Sequence, residues 1–159
     1  MTHAGPRHTG ASGNDSSATA LRARMAACGV LSVNLIGSPG SGKTSLLECT
    51  IETLPRYARV AVLTGDVQTE DDAERVRRYG FPVRQINTGS AGCLDGRMIE
   101  QGLADWRLED IDLLLIENVG NLIGPADHDL GETAKIVLSS VTEGEDEPSS
   151  TPRSFTRQS

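Results

Sequence analysis

A chain of 159 residues is the size of one domain, and 15 basic against 22 acidic side chains leave it at a net charge of −7. No apolar run approaches the ~18–20 residues of a membrane span, and the acidic balance does not suit a broad basic face for nucleic acid. Three cysteines are an odd, sparse count for a disulfide scaffold. Together with an N-terminus that has no basic-then-apolar signal pattern, they make the reducing cytoplasm the expected location.

Residues 1–18 are small and polar, too poor in apolar surface to offset their ordering entropy, and are expected to be a disordered tail. His3 and His8 lack regular spacing and read as tail residues. The Ala-rich stretch Thr19–Cys28 predicts a short helix ending at Gly29. From there apolar strands alternate with helices. Leu31–Ile36 is a buried strand running into a glycine-rich turn. Lys43–Leu54 is a helix with Leu46, Leu47, Ile51 and Leu54 on one face. Arg59–Thr64 is a strand, Asp71–Tyr79 a charged helix, and Val83–Asn87 a strand. Asp95–Leu103 is a helix turning Met98, Ile99 and Leu103 inward. Ile111–Ile116 and Lys135–Val141 are the last two strands. Continuously apolar strands separated by helices predict an α/β fold, a parallel sheet covered on both faces. The expected domain is 19–144, followed by a second disordered tail over 145–159.

The strongest motif is Gly37-Ser38-Pro39-Gly40-Ser41-Gly42-Lys43-Thr44, a complete G-x-x-x-x-G-K-[ST], followed by Ser45. Glycines let the backbone wrap so that successive N–H groups face phosphate oxygens, and the helix that follows adds its positive N-terminal end. Lys43 suits the β- and γ-phosphates and the Thr44 hydroxyl suits Mg²⁺. A phosphate loop also needs carboxylates for the metal. Asp66 and Glu117 each follow an apolar strand, at the end where open α/β sheets bind ligands. Asp112 sits at the opposite end of its strand and reads as a surface or capping residue. Cys28 and Cys49 read as packing residues in apolar helical settings.

Five stretches in order carry a resemblance: VNLIGSPGSGKTSLLE, TGDVQTEDDAERV, QINTGSAGCLDGRM, LLLIENVGNLIGPADHDLGE and VLSSVTEGEDEP. The chain resembles the hydrogenase nickel-incorporation GTPase family, HypB. The resemblance implies a dimerising, SIMIBI-type P-loop GTPase of three α/β/α layers. It implies GTP and Mg²⁺ as ligands, nickel delivery to [NiFe]-hydrogenase as the task, and the hydrogenase precursor and accessory maturation proteins as partners. It places Asp66 in the first switch, Glu117 as the Walker-B-like carboxylate and Gly120 near the γ-phosphate in the second switch.

Three departures from the family stand out. Gly92 and Cys93 occupy the places of an adjacent Cys-His pair that binds nickel or zinc, and Gly124 stands where the family has a further Cys. Cys93 is the surviving soft ligand for Ni²⁺ or Zn²⁺, with Asp95 or His128 as candidate co-ligands; His128 otherwise reads as an exposed loop residue. The guanine-reading N-K-x-D does not occur in the 159 residues. The chain therefore reads as a C-terminally incomplete GTPase domain, with GTP-over-ATP preference in doubt and one sheet edge uncovered. Two other readings remain: a catalytically impaired relative acting as a binding or dimerisation module, and a P-loop small-molecule kinase. For the kinase, the cluster Arg75, Arg77 and Arg78 reads as a solvated helix face and not as a phosphate lid.

Overall fold

The apolar runs pair side by side. A computed structural model describes residues 9–66 and 71–141. Its elements are α1 (Thr9–Ala27), β1 (Leu31–Gly37), α2 (Lys43–Thr53), β2 (Val60–Asp66), α3 (Asp71–Arg77) and β3 (Val83–Asn87). They continue with α4 (Gly96–Gly102), β4 (Leu113–Glu117), α5 (Ile123–Asp127) and β5 (Ala134–Leu138). The strands form one sheet in the order β3-β2-β4-β1-β5, every pairing parallel.

Alternation along the central strands sorts their side chains onto two faces. Ala61, Leu63, Leu114 and Ile116 face one side, where they pack with Leu21 and Met25 of α1 and Ile99 and Leu103 of α4. Val60, Val62 and Leu115 face the other, against Leu47 and Ile51 of α2 and Val76 of α3. Burial of such side chains stabilises each layer by ~1.5–3 kcal/mol per residue. The result is the three-layer α/β/α parallel sheet expected, with β5 on an outer edge and Ile136 exposed on it.

The structure corrects several expectations. Helix α1 begins at Thr9, ten residues earlier than Thr19, so 9–18 is helical where a disordered tail was expected. Tertiary contacts override the weak composition. Ala18, Leu21 and Met25 are buried at i, i+3, i+7 spacing. The Asn14 side chain accepts from the Gly96 N–H at 2.7 Å and donates to the Asp129 carbonyl at 3.0 Å. The remainder of that tail, residues 1–8, and the expected tail 145–159 lie outside the described residues. The short helix α5 was not anticipated. Leu46 is exposed rather than on the buried face of α2, and Cys49 is exposed, so it does not pack; Cys28 packs partly against the core. Asp112 is a surface residue as expected, held by a two-pronged pair with Arg59 at 2.6 and 3.1 Å.

Candidate functional site

Parallel order brings the loops after β1, β2 and β4 to one end of the sheet, with β4 lying between β1 and β2. The register sets Glu117 opposite both Leu35 of β1 and Thr64 of β2. Its carboxylate therefore lies beneath the loop Gly37–Thr44.

That loop is shaped by steric necessity. A Cβ on Gly37 would lie 2.5 Å from the Leu138 carbonyl and 2.6 Å from Ser41 Oγ, closer than atoms approach. Gly42, the residue before α2, has φ 93° and leaves the helix without a side-chain cap, so the first-turn N–H groups face the loop. Lys43 is buried, and its Nζ donates to the Gly37 and Ser38 carbonyls at 2.8 and 3.0 Å. The side chain is thus folded back over the loop, where its charge serves an anion. Thr44 Oγ1 donates to Glu117 Oε1 at 2.6 Å, with both residues buried. A hydroxyl against a carboxylate is the hard-oxygen donor pair that suits Mg²⁺.

The loop after β4 closes over the same place. A Cβ on Gly120 would sit 3.1–3.3 Å from Pro39 atoms, so residue 120 rests directly on the phosphate loop. Gly40, Lys43, Thr44, Glu117, Gly120 and Arg75 are among the residues lining a cavity of about 520 Å³. That volume is within the ~300–1,000 Å³ of small-molecule sites. Asp66 ends β2 at this end of the sheet, as its motif predicts; its side chain, like residues 67–70 of the expected first switch, lies outside the described residues. Ser38, Ser41 and Ser45 accompany the loop, with Ser45 exposed.

Sequence reasoning missed the support behind Glu117. The buried Asn118 amide donates to Asn34 Oδ1 of β1 at 3.3 Å, and its Oδ1 accepts from the Leu94 and Val119 N–H groups at 3.3 and 3.0 Å. Asn34 in turn donates to Glu132 Oε1 at 3.3 Å. One signal was present: an Asn within the largely apolar strand LSVNLI implies a buried polar partner.

The second cluster begins at Cys93, next to Leu94, whose N–H reaches Asn118. Cys93 Sγ is 3.8 Å from His128 Nδ1, and a Cβ on Gly124 would be 3.5 Å from that sulfur. Positions 93, 124 and 128 therefore converge, and His128 is partly buried beside the thiol rather than an exposed loop residue. His128 Nδ1 lies 2.8 Å from the Gly124 carbonyl, which can only accept, so Nδ1 is the donor of this contact. Asp95 is engaged otherwise: its Oδ1 accepts from Met98 N–H at 2.8 Å as the N-cap of α4. Burial first, and the Asp95 charge second, push the Cys93 thiol above its ordinary 9.0. Among the described residues no three His, Cys, Asp or Glu gather as a metal-binding group. The described residues of one chain thus bring together two such donors, Cys93 and His128, where tetrahedral zinc takes about four.

Comparison with known proteins agrees with this geometry. A family model described as the CobW/HypB/UreG nucleotide-binding domain matches residues 31–141. The hydrogenase maturation factor HypB of Azotobacter vinelandii is 52% identical over 144 residues, covering 89% of this chain and 47% of the relative. That of Escherichia coli K12 is 49% identical over 134 residues, covering 84% and 46%. Among solved structures, HypB from Archaeoglobus fulgidus superposes with a TM-score of 0.77 at 45% identity, covering 85% of this chain and 66% of that one. HypB from Helicobacter pylori, crystallised in complex with nickel, gives 0.78 at 41% identity, with 87% and 65% covered. The chain spans about half the length of these curated relatives.

Proposed function

The chain belongs to the CobW/HypB/UreG nucleotide-binding family, and from that premise we propose that it binds and hydrolyses GTP with Mg²⁺ in the service of nickel insertion during hydrogenase maturation. The observation that carries this reading is the Thr44–Glu117 hydrogen bond under a complete phosphate loop. The loop amides from Gly37 to Thr44, with Ser45 next to them, cradle the phosphates. Lys43 leaves the Gly37 and Ser38 carbonyls for the β- and γ-phosphate oxygens. Thr44, Glu117 and Asp66 hold the magnesium side, and Gly120 lies close enough to Pro39 for its N–H to sense the terminal phosphate. Mg²⁺, when bound, neutralises charge building on the β- and γ-oxygens.

For the transported metal, Cys93 is the ligand proposed for Ni²⁺ or Zn²⁺, with His128 as its partner. Two such pairs, one from each of two copies, supply four donors, which ties metal binding to a homodimer. The hydrogenase precursor and accessory maturation proteins are the proposed partners, and the cytoplasm the proposed location. A second reading, a binding or dimerisation module without turnover, is favoured by one observation: Gly92 and Gly124 carry no donor atoms where the resemblance leads one to look for them. The relatives, being hydrogenase maturation factors, favour both readings over a small-molecule kinase.

Equilibrium binding of GTP, ATP and GDP with and without Mg²⁺ tests the proposal. Magnesium-dependent triphosphate binding that Thr44→Val weakens supports it; no binding of any nucleotide defeats it. Binding without phosphate release selects the second reading.

A further inference from the structure

Arg75 and Arg78 lie three residues apart, and both hold one carboxylate on α2. Arg75 Nη2 donates to Glu48 Oε2 at 2.5 Å and Arg78 Nη2 donates to Glu48 Oε1 at 2.7 Å. Two guanidinium groups thus share one carboxylate. Glu48 is well shielded, its side chain 12% exposed. Of the two arginines, only Arg75 lines the cavity above the phosphate loop. One guanidinium of the pair therefore borders the space where an anion belongs.

The shared carboxylate has an energetic consequence. A shielded Glu48 stripped of every partner is costly. With Arg78 in place, Arg75 can release Oε2 and Glu48 still keeps a cation. A guanidinium is a planar fork of N–H donors matched to phosphoryl oxygens, and it keeps its charge at any working pH. Phosphoryl transfer builds charge on the terminal phosphoryl group and on the leaving oxygen, which an arginine can stabilise when the chain itself supplies one.

We propose that Arg75 is a catalytic arginine supplied in cis: it leaves Glu48 for the terminal phosphoryl oxygens of the nucleotide on the loop Gly37–Thr44. This rests on the hydrolytic reading above. As the water oxygen bonds to the γ-phosphorus, the bridging P–O bond to the β-phosphate breaks and its electron pair leaves with the diphosphate. Both protons of the water depart on the phosphate product as H₂PO₄⁻. Arg75 transfers no proton; its N–H groups hold the growing charge. Arg78 stays on Glu48 and keeps α3 fastened to α2.

Single-turnover GTP hydrolysis by the full chain tests this, with Arg75→Ala, Arg75→Lys and Arg78→Ala, and with Mg–GDP affinity measured on each. Arg75→Ala is expected to slow hydrolysis by on the order of 10³-fold while leaving Mg–GDP affinity unchanged, with Arg75→Lys in between. Its complex with GDP and aluminium fluoride is lost, because that mimic needs the same donors. Arg78→Ala leaves Arg75 as the remaining arginine on Glu48 and makes its release costlier, so it is expected to slow hydrolysis by about 10-fold, far less than Arg75→Ala. Hydrolysis by Arg75→Ala at the wild-type rate overturns the proposal, as does an equal loss in Arg78→Ala, which makes the pair a structural clamp. A wild-type chain that binds GTP and never hydrolyses it defeats the hydrolytic reading and this one together. Wild-type turnover with an unaffected Arg75→Ala defeats this one alone.

Discussion

The phosphate end of the sheet and the Cys93–His128 cluster are joined through Leu94 and Asn118, yet they are built to different standards. Around the phosphate loop each position is filled by a residue the geometry demands. Gly37 has no room for a Cβ, Lys43 and Thr44 are buried, and Glu117 meets Thr44 at 2.6 Å. Around Cys93 the backbone brings three positions together but only two carry donors, and the third, Gly124, has ordinary room for a side chain. The contrast teaches that a fold can bring positions together without supplying chemistry at all of them. The phosphate end brings Lys43, Thr44 and Glu117 together among the described residues, whereas Cys93 and His128 are two of the about four donors that tetrahedral zinc takes.

The largest expected effect falls on the first region. Gly37→Ala forces a backbone or Ser41 shift, and such overpacking destabilises by ~1–3 kcal/mol; thermal or urea unfolding measures it. Gly124→Ala, with its Cβ at 3.5 Å from Cys93, is expected to leave the midpoint nearly unmoved. Equal losses in the two variants break the comparison. The next effect is a gain. Gly124→Cys places a second thiol beside Cys93 and is expected to raise Zn²⁺ or Ni²⁺ affinity at least ~10-fold, read by competition with a chelating dye. If Cys93→Ser leaves wild-type affinity unaltered, Cys93 is not a ligand.

How far the sequence disclosed these regions follows from the range of the interactions. The phosphate loop and its strand–helix setting are local: glycines at fixed spacing, then Lys and Thr, with apolar periodicity on either side. Strands β1 and β3 were placed within a residue at each end. Helix α1 was seen only from residue 19, because the first half is held by Asn14 reaching Gly96 and Asp129, contacts 82 and 115 residues away. Helix α5, five residues long, has no period to read. Arg75, Arg77 and Arg78 are exposed, as the solvated face expected of them requires, but a helical wheel does not show which cavity such a face borders, and Arg75 lines the one above the phosphate loop. His128 looked exposed because nothing in GPADHDLGE reveals that Cys93 lies 3.8 Å away.

Thiol chemistry gives a smaller, sharper check on the second region. Cys49 is exposed, Cys28 partly buried, and Cys93 buried with its thiol pushed above the ordinary value. Iodoacetamide at neutral pH is expected to label Cys49 first and Cys93 last, followed by peptide mass spectrometry. Early labelling of Cys93 contradicts its burial. The smallest effect lies away from both regions. Arg59 hydrogen bonds hold the Asp112 carboxyl at about 2 against an ordinary 3.8. A depressed carboxylate stabilises the fold above pH 3.8, and that contribution fades as the pH falls toward 2. Asp112→Asn should therefore differ slightly from wild type in unfolding midpoint at pH 7 and converge with it near pH 2. The pair is exposed, so the difference is small.

Release of inorganic phosphate from GTP decides whether the loop Gly37–Thr44 with Glu117 works as a phosphate site. Magnesium-dependent release is expected of the wild-type chain, with a loss of at least ~10²-fold in Lys43→Ala. No release from the wild type, or the same release from Lys43→Ala, contradicts it.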